Sequence, residues 1–186
     1  PDYSRLVSEN KWDEAQRTGG IKYPIKLLKG KSIGIVGYGN IGRRVGEMAE
    51  AFGMTVNVYS RDREAAVSSD FVSLHCPLTE SNSKMVDRGF INSMKDGAIL
   101  INTARGGLVD EAALAEALAS GKITAAGVDV LSEEPPSKDN PLLSAPNCIV
   151  TPHIAFTPHE TRETVAETCA ANLRSFKEGG NLNRLV

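Results

Sequence analysis

The sequence has little of what marks secreted, membrane or nucleic-acid-binding proteins. Its 21 Lys and Arg residues nearly balance its 23 Asp and Glu residues, giving a formal net charge of −2, and the two signs are mixed along the chain. Such mixing indicates no basic face for nucleic acid. No apolar run approaches the length of a membrane span, and the first residues have no signal-peptide pattern. We therefore expect no nucleic-acid or membrane partner and a cytoplasmic location.

Cysteine is also scarce. Cys76, Cys148 and Cys169 are odd in number and lack the spacing of CxxC or Cys/His metal sites. We expect reduced thiols, with neither a disulfide nor a metal centre. Hydrophobic residues make up 41% of the 186 residues. That share is enough to form the core of a single domain or slightly more.

One stretch joins a strand pattern, a glycine-rich turn and a helix pattern. Residues 32–36 form a short apolar run, and GYGNIG at 37–42 leads into an amphipathic helical pattern. Gly37 permits a tight turn, Gly39 lets the backbone approach a pyrophosphate, and Gly42 lets the helix pack close to the strand. The free N–H groups of the helix would then face the phosphates. The order predicts a dinucleotide site, and the alternative is an ordinary strand-to-helix turn.

Strand and helix patterns alternate along the rest of the chain. Further strands are predicted at 55–59, 70–75, 98–102, 123–130 and 148–151. Helices are predicted at 2–10, 88–94, 111–120 and 159–177. This alternation predicts an α/β fold with a doubly wound parallel sheet. Ligands of such sheets bind at the carboxyl ends of the strands, where the following residues fall: Gly37, Ser60, Cys76, Thr103, Asp129 and His153.

The connection between the second and third predicted strands is short. Residues 60–69 separate them, whereas parallel strands need a crossover of about a dozen residues or more, usually helical. Either the protein has trimmed this crossover or the sequence lacks residues there, and we expect the second. A peptide mass across 61–70 that equals the mass of this sequence would refute that expectation.

Polar side chains follow three of the later strands. Arg105 lies on a glycine-rich turn, where a guanidinium suits a carboxylate; on a surface helix it would be a solvated charge. His153 follows the last strand, and acids occupy the segment 127–136. A neighbouring carboxylate would fix the tautomer of His153 for proton transfer, whereas a lone histidine is usually a polar residue with a backbone partner. For His75 and His159 we expect structural roles.

Four motifs resemble one enzyme family. GYGNIG, INTARGGLVDEAALAEAL, AGVDVLSEEPP and TPHIAFTPHET, in this order, resemble the NAD(P)-binding domain of the D-isomer-specific 2-hydroxyacid dehydrogenases. Among subfamilies the similarity looks greatest to glycerate dehydrogenases, which reduce hydroxypyruvate. The resemblance implies a Rossmann dinucleotide-binding fold. It also implies hydride transfer between NAD(P)H and a small 2-oxo or 2-hydroxy acid.

The resemblance further implies residue roles. Arg105 matches the substrate-binding arginine, Glu134 the catalytic glutamate and His153 the general acid/base. Positions that would line the cofactor are Gly37, Gly39, Asn40, Ile41, Gly42, Ser60, Arg61, Cys76, Thr103, Ala104, Arg105, Asp129, His153 and Ala155. The alternative is a cofactor-sensing module, as in corepressor relatives that keep these motifs without turnover.

The end of the second strand departs from the NAD-specific pattern. There an acid would bind the ribose hydroxyls, but Ser60 and Arg61 follow Tyr59. Without that carboxylate, Arg61 or Arg63 can pair with a 2′-phosphate, although Asp62 lies close by. The cofactor is therefore expected to be NAD or NADP, with NADP favoured.

The length departs from the family as well, because family members are longer and have a substrate domain. We expect residues 1–29 to be an interdomain helix and linker, 30–178 the dinucleotide-binding domain, and 179–186 a tail toward the substrate domain, which is largely absent. Such a chain should bind dinucleotide but turn over poorly by itself. The resemblance also suggests a homodimer formed through the nucleotide domains.

Overall fold

A parallel sheet organises the domain. The computed structural model describes residues 2–13 and 26–184. The strands are β1 (Ser32–Val36), β2 (Thr55–Val58), β3 (Phe71–Leu74), β4 (Ala98–Asn102), β5 (Ile123–Val128) and β6 (Cys148–Val150). They pair in parallel, in the order β2-β1-β3-β4-β5-β6. The predicted α/β fold with a parallel sheet is confirmed.

Helices connect the strands. They are α1 (Asp2–Ser8), α2 (Asn40–Ala51), α3 (Arg63–Val67), α4 (Arg88–Ser93), α5 (Glu111–Ser120) and α6 (His159–Lys177). Several elements are one or two residues shorter than predicted. Strand β5, for example, ends at Val128 rather than at residue 130, because the backbone leaves the sheet after the Asp129 N–H bonds the Asn102 carbonyl at 2.9 Å.

The core lies between the sheet and the helices. Strand residues Ile35, Leu74 and Leu100 are fully buried, as is Leu114 of α5. Burial of successive strand residues, rather than of every second one, is what a parallel sheet covered on both faces requires. The sheet is therefore covered on both faces, and the carboxyl ends of its strands carry the candidate site.

Helix α3 forms the short crossover between β2 and β3. Residues 59–70 connect β2 to β3, and α3 crosses β1 so closely that a Cβ on Gly34 would lie 1.9 Å from the Ala66 carbonyl oxygen. A glycine at position 34 is what permits this approach. The expectation that residues are missing between 61 and 70 stays a prediction.

Parts of two predicted segments lie outside the described residues. Residues 1 and 14–25 of the linker at 1–29 belong to this group, as do residues 185–186 of the tail at 179–186. Among the helices that the structure describes, none has the length and apolar character needed to cross a bilayer. The three cysteines are free thiols.

Candidate active site

The glycine turn between β1 and α2 has the geometry of a dinucleotide cradle. Gly37 has a φ of 96°, and a Cβ there would lie 2.5 Å from the Cys76 nitrogen. A Cβ on Gly42 would lie 2.0 Å from the Gly37 carbonyl oxygen, whereas one on Gly39 would meet nothing within 4 Å. Gly39 is the N-cap of α2 and brings no side-chain cap. The first N–H groups of α2 are thus open to an anion, which fits a pyrophosphate.

The end of β2 brings positive charge to this turn. The Arg61 guanidinium carbon lies 5.2 Å from the centre of the Tyr38 ring, and Tyr38 belongs to the glycine turn. The Asp62 carboxylate accepts a hydrogen bond from the Ala65 N–H at 2.9 Å and caps α3. The carboxylate of Asp62, two residues after Ser60, is therefore hydrogen-bonded to the start of α3.

Three further predicted residues lie along the same edge. Cys76 follows β3 and is half-buried, and this burial raises the pKa of its thiol. Thr103 and Ala104 follow β4. Cys76 lies against the glycine turn, and Thr103 and Ala104 follow a strand that is separated from β1 by β3. An extended ligand along this edge could contact several strand ends.

Asn102 shapes the turn that carries Arg105. Its side-chain oxygen accepts a bond from the Ala104 N–H at 3.0 Å, and its amide donates to the Arg105 carbonyl at 2.9 Å. The Arg105 side chain is exposed and donates to the Ala104 carbonyl at 2.7 Å. Asn102 was not among the site residues that the sequence predicted. The available signal was a polar residue ending an apolar strand, since a buried amide needs partners.

Glu134 and His153 form a hydrogen-bonded pair. The Nδ1 of His153 lies 2.7 Å from Oε2 of Glu134, and the Leu131 N–H donates to Oε1 at 3.0 Å. The bond from His153, followed by that from Leu131, lowers the pKa of Glu134. An ionised carboxylate at Nδ1 fixes the imidazole tautomer and leaves Nε2 as the atom that faces a ligand.

Asp129 holds the loop that carries His153. Its carboxylate accepts bonds from the Thr151 hydroxyl at 2.5 Å and from the N–H groups of Ile154 and Ala155, each at 2.9 Å. Burial raises the pKa of Asp129, but these hydrogen bonds outweigh it and the net shift is downward. The Asp129 carbonyl also accepts the His153 N–H at 2.8 Å.

Arg105, Glu134 and His153 line one cavity of about 210 Å³. Leu78, Gly106 and Gly107 complete its wall beside the start of the 131–140 loop. A second cavity of about 430 Å³ lies behind the Glu134–His153 pair and is walled by Pro135, Pro136 and Leu143. The structure thus brings the three predicted catalytic side chains together, at the edge of the sheet that also carries the glycine turn.

The other two histidines have local partners. The Nε2 of His75 lies 2.9 Å from the Ser73 hydroxyl, and burial lowers the pKa of His75. His159 pairs with Glu163 within α6 at 3.4 Å. Within residues 2–13 and 26–184, no group of three or more His, Cys, Asp or Glu side chains is arranged to hold a metal ion.

Comparison with known proteins matches this arrangement to one family. Residues 1–155 match the model described as "D-isomer specific 2-hydroxyacid dehydrogenase, NAD binding domain". The chain belongs to this family. It is 40% identical to a hydroxypyruvate reductase of Blautia hydrogenotrophica over 196 residues, covering 97% of this chain and 61% of that protein. It is also 40% identical to a glycerate dehydrogenase of Methylorubrum extorquens over 187 residues, covering 95% and 60%.

Two solved structures show the same fold. The NAD-complexed D-isomer specific 2-hydroxyacid dehydrogenase of Lactobacillus delbrueckii subsp. bulgaricus superposes with a TM-score of 0.77 at 31% identity, over 84% of this chain and 56% of that one. An acyclic imino acid reductase in complex with NADPH and D-Arg gives 0.80 at 29% identity, over 97% and 64%. This chain spans about 60% of the length of the hydroxypyruvate reductase and of the glycerate dehydrogenase.

Proposed function

We propose that the chain is the cofactor-binding part of an NAD(P)-dependent D-2-hydroxyacid dehydrogenase that interconverts hydroxypyruvate and D-glycerate. The observation that carries this proposal is the shared cavity of Arg105, Glu134 and His153. The two curated relatives described above, a hydroxypyruvate reductase and a glycerate dehydrogenase, support the choice of substrate. The comparisons give no support to the cofactor-sensing alternative.

The proposed roles of the three side chains follow from their chemistry. The exposed Arg105 guanidinium would bind the carboxylate of the 2-oxo acid through paired hydrogen bonds. His153 would donate a proton from Nε2 to the carbonyl oxygen of the substrate as that oxygen becomes an alkoxide. Glu134 would hold Nδ1 and stabilise the charged imidazole. The nicotinamide group, when bound, supplies the hydride that completes the reduction to a 2-hydroxy acid.

The cofactor would lie along the carboxyl edge of the sheet. Its pyrophosphate would meet the first turn of α2, beside Gly39, Asn40 and Ile41. Strand ends further along the sheet, at Thr103, Ala104 and Ala155, would line the rest of the cofactor.

NADP is favoured over NAD as this cofactor. Arg61 beside Tyr38 supports this preference, because its guanidinium brings a positive charge to the ribose site, whereas the Asp62 carboxylate is bonded to the start of α3. The family-model match and the NAD-complexed and NADPH-complexed neighbours support a nicotinamide cofactor of either kind.

The rest of the protein would supply a substrate domain. The curated relatives are longer than this chain, which supports the division into a linker at 1–29, a cofactor domain at 30–178 and a tail at 179–186. A cytoplasmic homodimer formed through the cofactor domains belongs to the same proposal and is supported by the family resemblance. The proposed roles of Arg105, Glu134 and His153 do not depend on the domain division, the location or the homodimer.

A spectrophotometric assay tests the proposal. The complete gene product is given hydroxypyruvate, glyoxylate, pyruvate or 3-phosphohydroxypyruvate with NADH or NADPH, and absorbance of the reduced cofactor is followed. The expected result is the fastest turnover with hydroxypyruvate. Negligible turnover with all four acids and both cofactors would overturn the assignment as a dehydrogenase.

A further inference from the structure

We propose that Glu111 is a positioning residue that holds the 131–140 loop and, through it, the Glu134 carboxylate against His153. The inference rests on the proposed function for its kinetic consequences, but its structural content does not. Glu111 is the first residue of α5 and was not among the site residues that the sequence indicated.

The carboxylate of Glu111 binds the loop at both ends. Oε1 accepts the Ser132 N–H at 2.7 Å, and Oε2 accepts the Ser132 hydroxyl at 2.8 Å and the Asn140 amide at 2.8 Å. Asn140 in turn accepts the Leu142 N–H at 3.0 Å and starts a 3₁₀ turn at Pro141–Leu143. One carboxylate thus joins the first and last turns of a loop that contains no helix or strand.

The loop has few other polar attachments. Among the described residues, the hydrogen bonds that leave residues 131–140 go to the side chains of Glu111 and His153 and, from Asn140, to the N–H groups of Leu142 and Leu143. The remaining bonds of this loop, such as that of the Leu131 N–H to Glu134, are internal. Loss of the Glu111 contacts would therefore leave the start of the loop held to the domain by the Glu134–His153 bond and by the buried side chain of Leu131.

The loop also forms part of the wall beside Arg105. A Cβ on Gly106 would lie 1.9 Å from the Leu131 carbonyl carbon, so the backbone just after Arg105 packs directly on the start of the loop. A displaced loop would move Glu134 relative to His153 and would loosen this contact. A misplacement of about 1 Å at a catalytic group can cost roughly a hundredfold in rate.

Glu111→Gln in the complete gene product tests the proposal. The amide replaces one acceptor oxygen with a donor, which faces the donors of Ser132 and Asn140. We expect kcat for 2-oxo acid reduction to fall roughly tenfold to a hundredfold, while the Kd for NAD(P)H stays unchanged. Glu116→Gln is the matched control, because Glu116 lies on the same helix, pairs with Arg88 and does not contact the loop. It should behave as the wild type.

A double variant separates positioning from general destabilisation. If Glu111 acts through Glu134, the Glu111→Gln/Glu134→Gln protein should turn over no more slowly than Glu134→Gln alone. The ¹⁵N chemical shifts of the His153 ring report its tautomer. In Glu111→Gln they should move toward the values of Glu134→Gln, and in Glu116→Gln they should equal those of the wild type. Ser132→Ala, which removes one of the three bonds, should give a smaller change of the same kind if Glu111→Gln folds poorly.

Amide exchange makes the test independent of the reaction. Exchange in residues 131–140 should accelerate in Glu111→Gln while the strands keep their protection. Unchanged exchange and unchanged His153 shifts would overturn the proposal even in a protein that reduces hydroxypyruvate, as would multiplicative losses in the double variant. Faster exchange and altered shifts would support it even if no 2-oxo acid were reduced, in which case only the proposed function would fail.

Discussion

At the scale of single residues, His153, the proposed general acid, has an unfavourable backbone conformation. Its φ of 52° lies in the left-handed region, which costs of order 1–3 kcal/mol for most side chains. The His153 N–H bond to the Asp129 carbonyl and the imidazole bond to Glu134 hold this conformation. Asparagine tolerates the left-handed region better than alanine does. The two replacements therefore separate the chemistry from the backbone.

We predict that His153→Asn and His153→Ala both lose turnover but differ in stability. Each removes the general acid, so turnover in the complete gene product should fall by roughly 10²–10⁴ while cofactor affinity is kept. Thermal melting should show His153→Asn to be the more stable of the two. Wild-type turnover in either variant would exclude His153 from the mechanism.

Arg61 decides the cofactor in the proposed function. We predict that Arg61→Ala weakens NADPH binding roughly 10–100-fold, because a charged hydrogen bond to the 2′-phosphate is lost, and leaves NADH binding unchanged. Fluorescence titration measures both constants. Arg44→Ala is the control, since Arg44 is an exposed partner of Glu47 on α2. Equal effects of Arg61→Ala on the two cofactors would contradict a 2′-phosphate contact.

At the scale of elements, Asp70 ties strands together at the edge opposite the site. Its carboxylate accepts bonds from the N–H and hydroxyl of Ser32, at 3.0 and 3.1 Å, and from Lys95 at 2.7 Å. Burial raises the pKa of Asp70, but the bonds from Lys95 and Ser32 outweigh it and bring the pKa down from 3.8 to about 2. Folding therefore favours the ionised carboxylate.

This shift predicts how stability depends on acid. Because the folded pKa is below the unfolded one, the contribution of Asp70, about 2 kcal/mol, is fully present above the unfolded pKa and is lost as the pH falls toward the folded one. Asp70→Asn should thus lower the free energy of unfolding at neutral pH, and its difference from the wild type should vanish in strong acid. Urea titrations over this range measure it. Asp96→Asn is the comparison: its ion pair with Lys122 also lowers the pKa of Asp96, but this carboxylate is exposed, so the trend should have the same sign and be much smaller.

The approach of α3 to β1 gives a second test of an element. Gly34→Ala should destabilise the domain by about 1–3 kcal/mol, because the new methyl group overlaps the Ala66 carbonyl. Gly127→Ala is the matched control: Gly127 lies in β5, and a Cβ there meets nothing within 4 Å. Denaturant unfolding of both variants measures the difference. If Gly34→Ala left the free energy of unfolding unchanged, the crossover would have to take another path. That is the result expected if the crossover contains further residues.

At the scale of the whole molecule, local patterns predicted the fold and long-range contacts escaped prediction. GYGNIG specified its own turn because the glycine requirements are local. An acid of the segment 127–136 was predicted beside His153 because both follow strands of one parallel sheet, whose carboxyl ends share an edge, and the family resemblance singled out Glu134. Glu111 and Asp70 were missed, since their partners are 21–38 residues away and such contacts depend on how a loop or strand register closes.

The last helix, α6, leaves large apolar side chains exposed. Helix α6 has no buried residue among its 19, and its Leu173 and Phe176 are 70% and 80% exposed. Exposed apolar side chains of this size usually face a partner surface. The side chains of Glu134 and His153 are likewise about 40% exposed. In the proposed enzyme a substrate domain would cover this edge and strengthen the electrostatic interactions there.

We therefore predict that residues 1–186 alone bind NAD(P)H but turn over poorly. The glycine turn and the strand ends are complete within the described residues, so cofactor affinity should approach that of the complete gene product. Turnover of hydroxypyruvate should be at least roughly a hundredfold lower than that of the complete gene product, because the substrate loses the contacts that hold it against Arg105 and His153. Cofactor fluorescence titration and the absorbance assay measure the two quantities separately. Full turnover by a chain of confirmed mass would show that this domain completes the active site unaided, whereas loss of cofactor binding would contradict the assignment of the glycine turn.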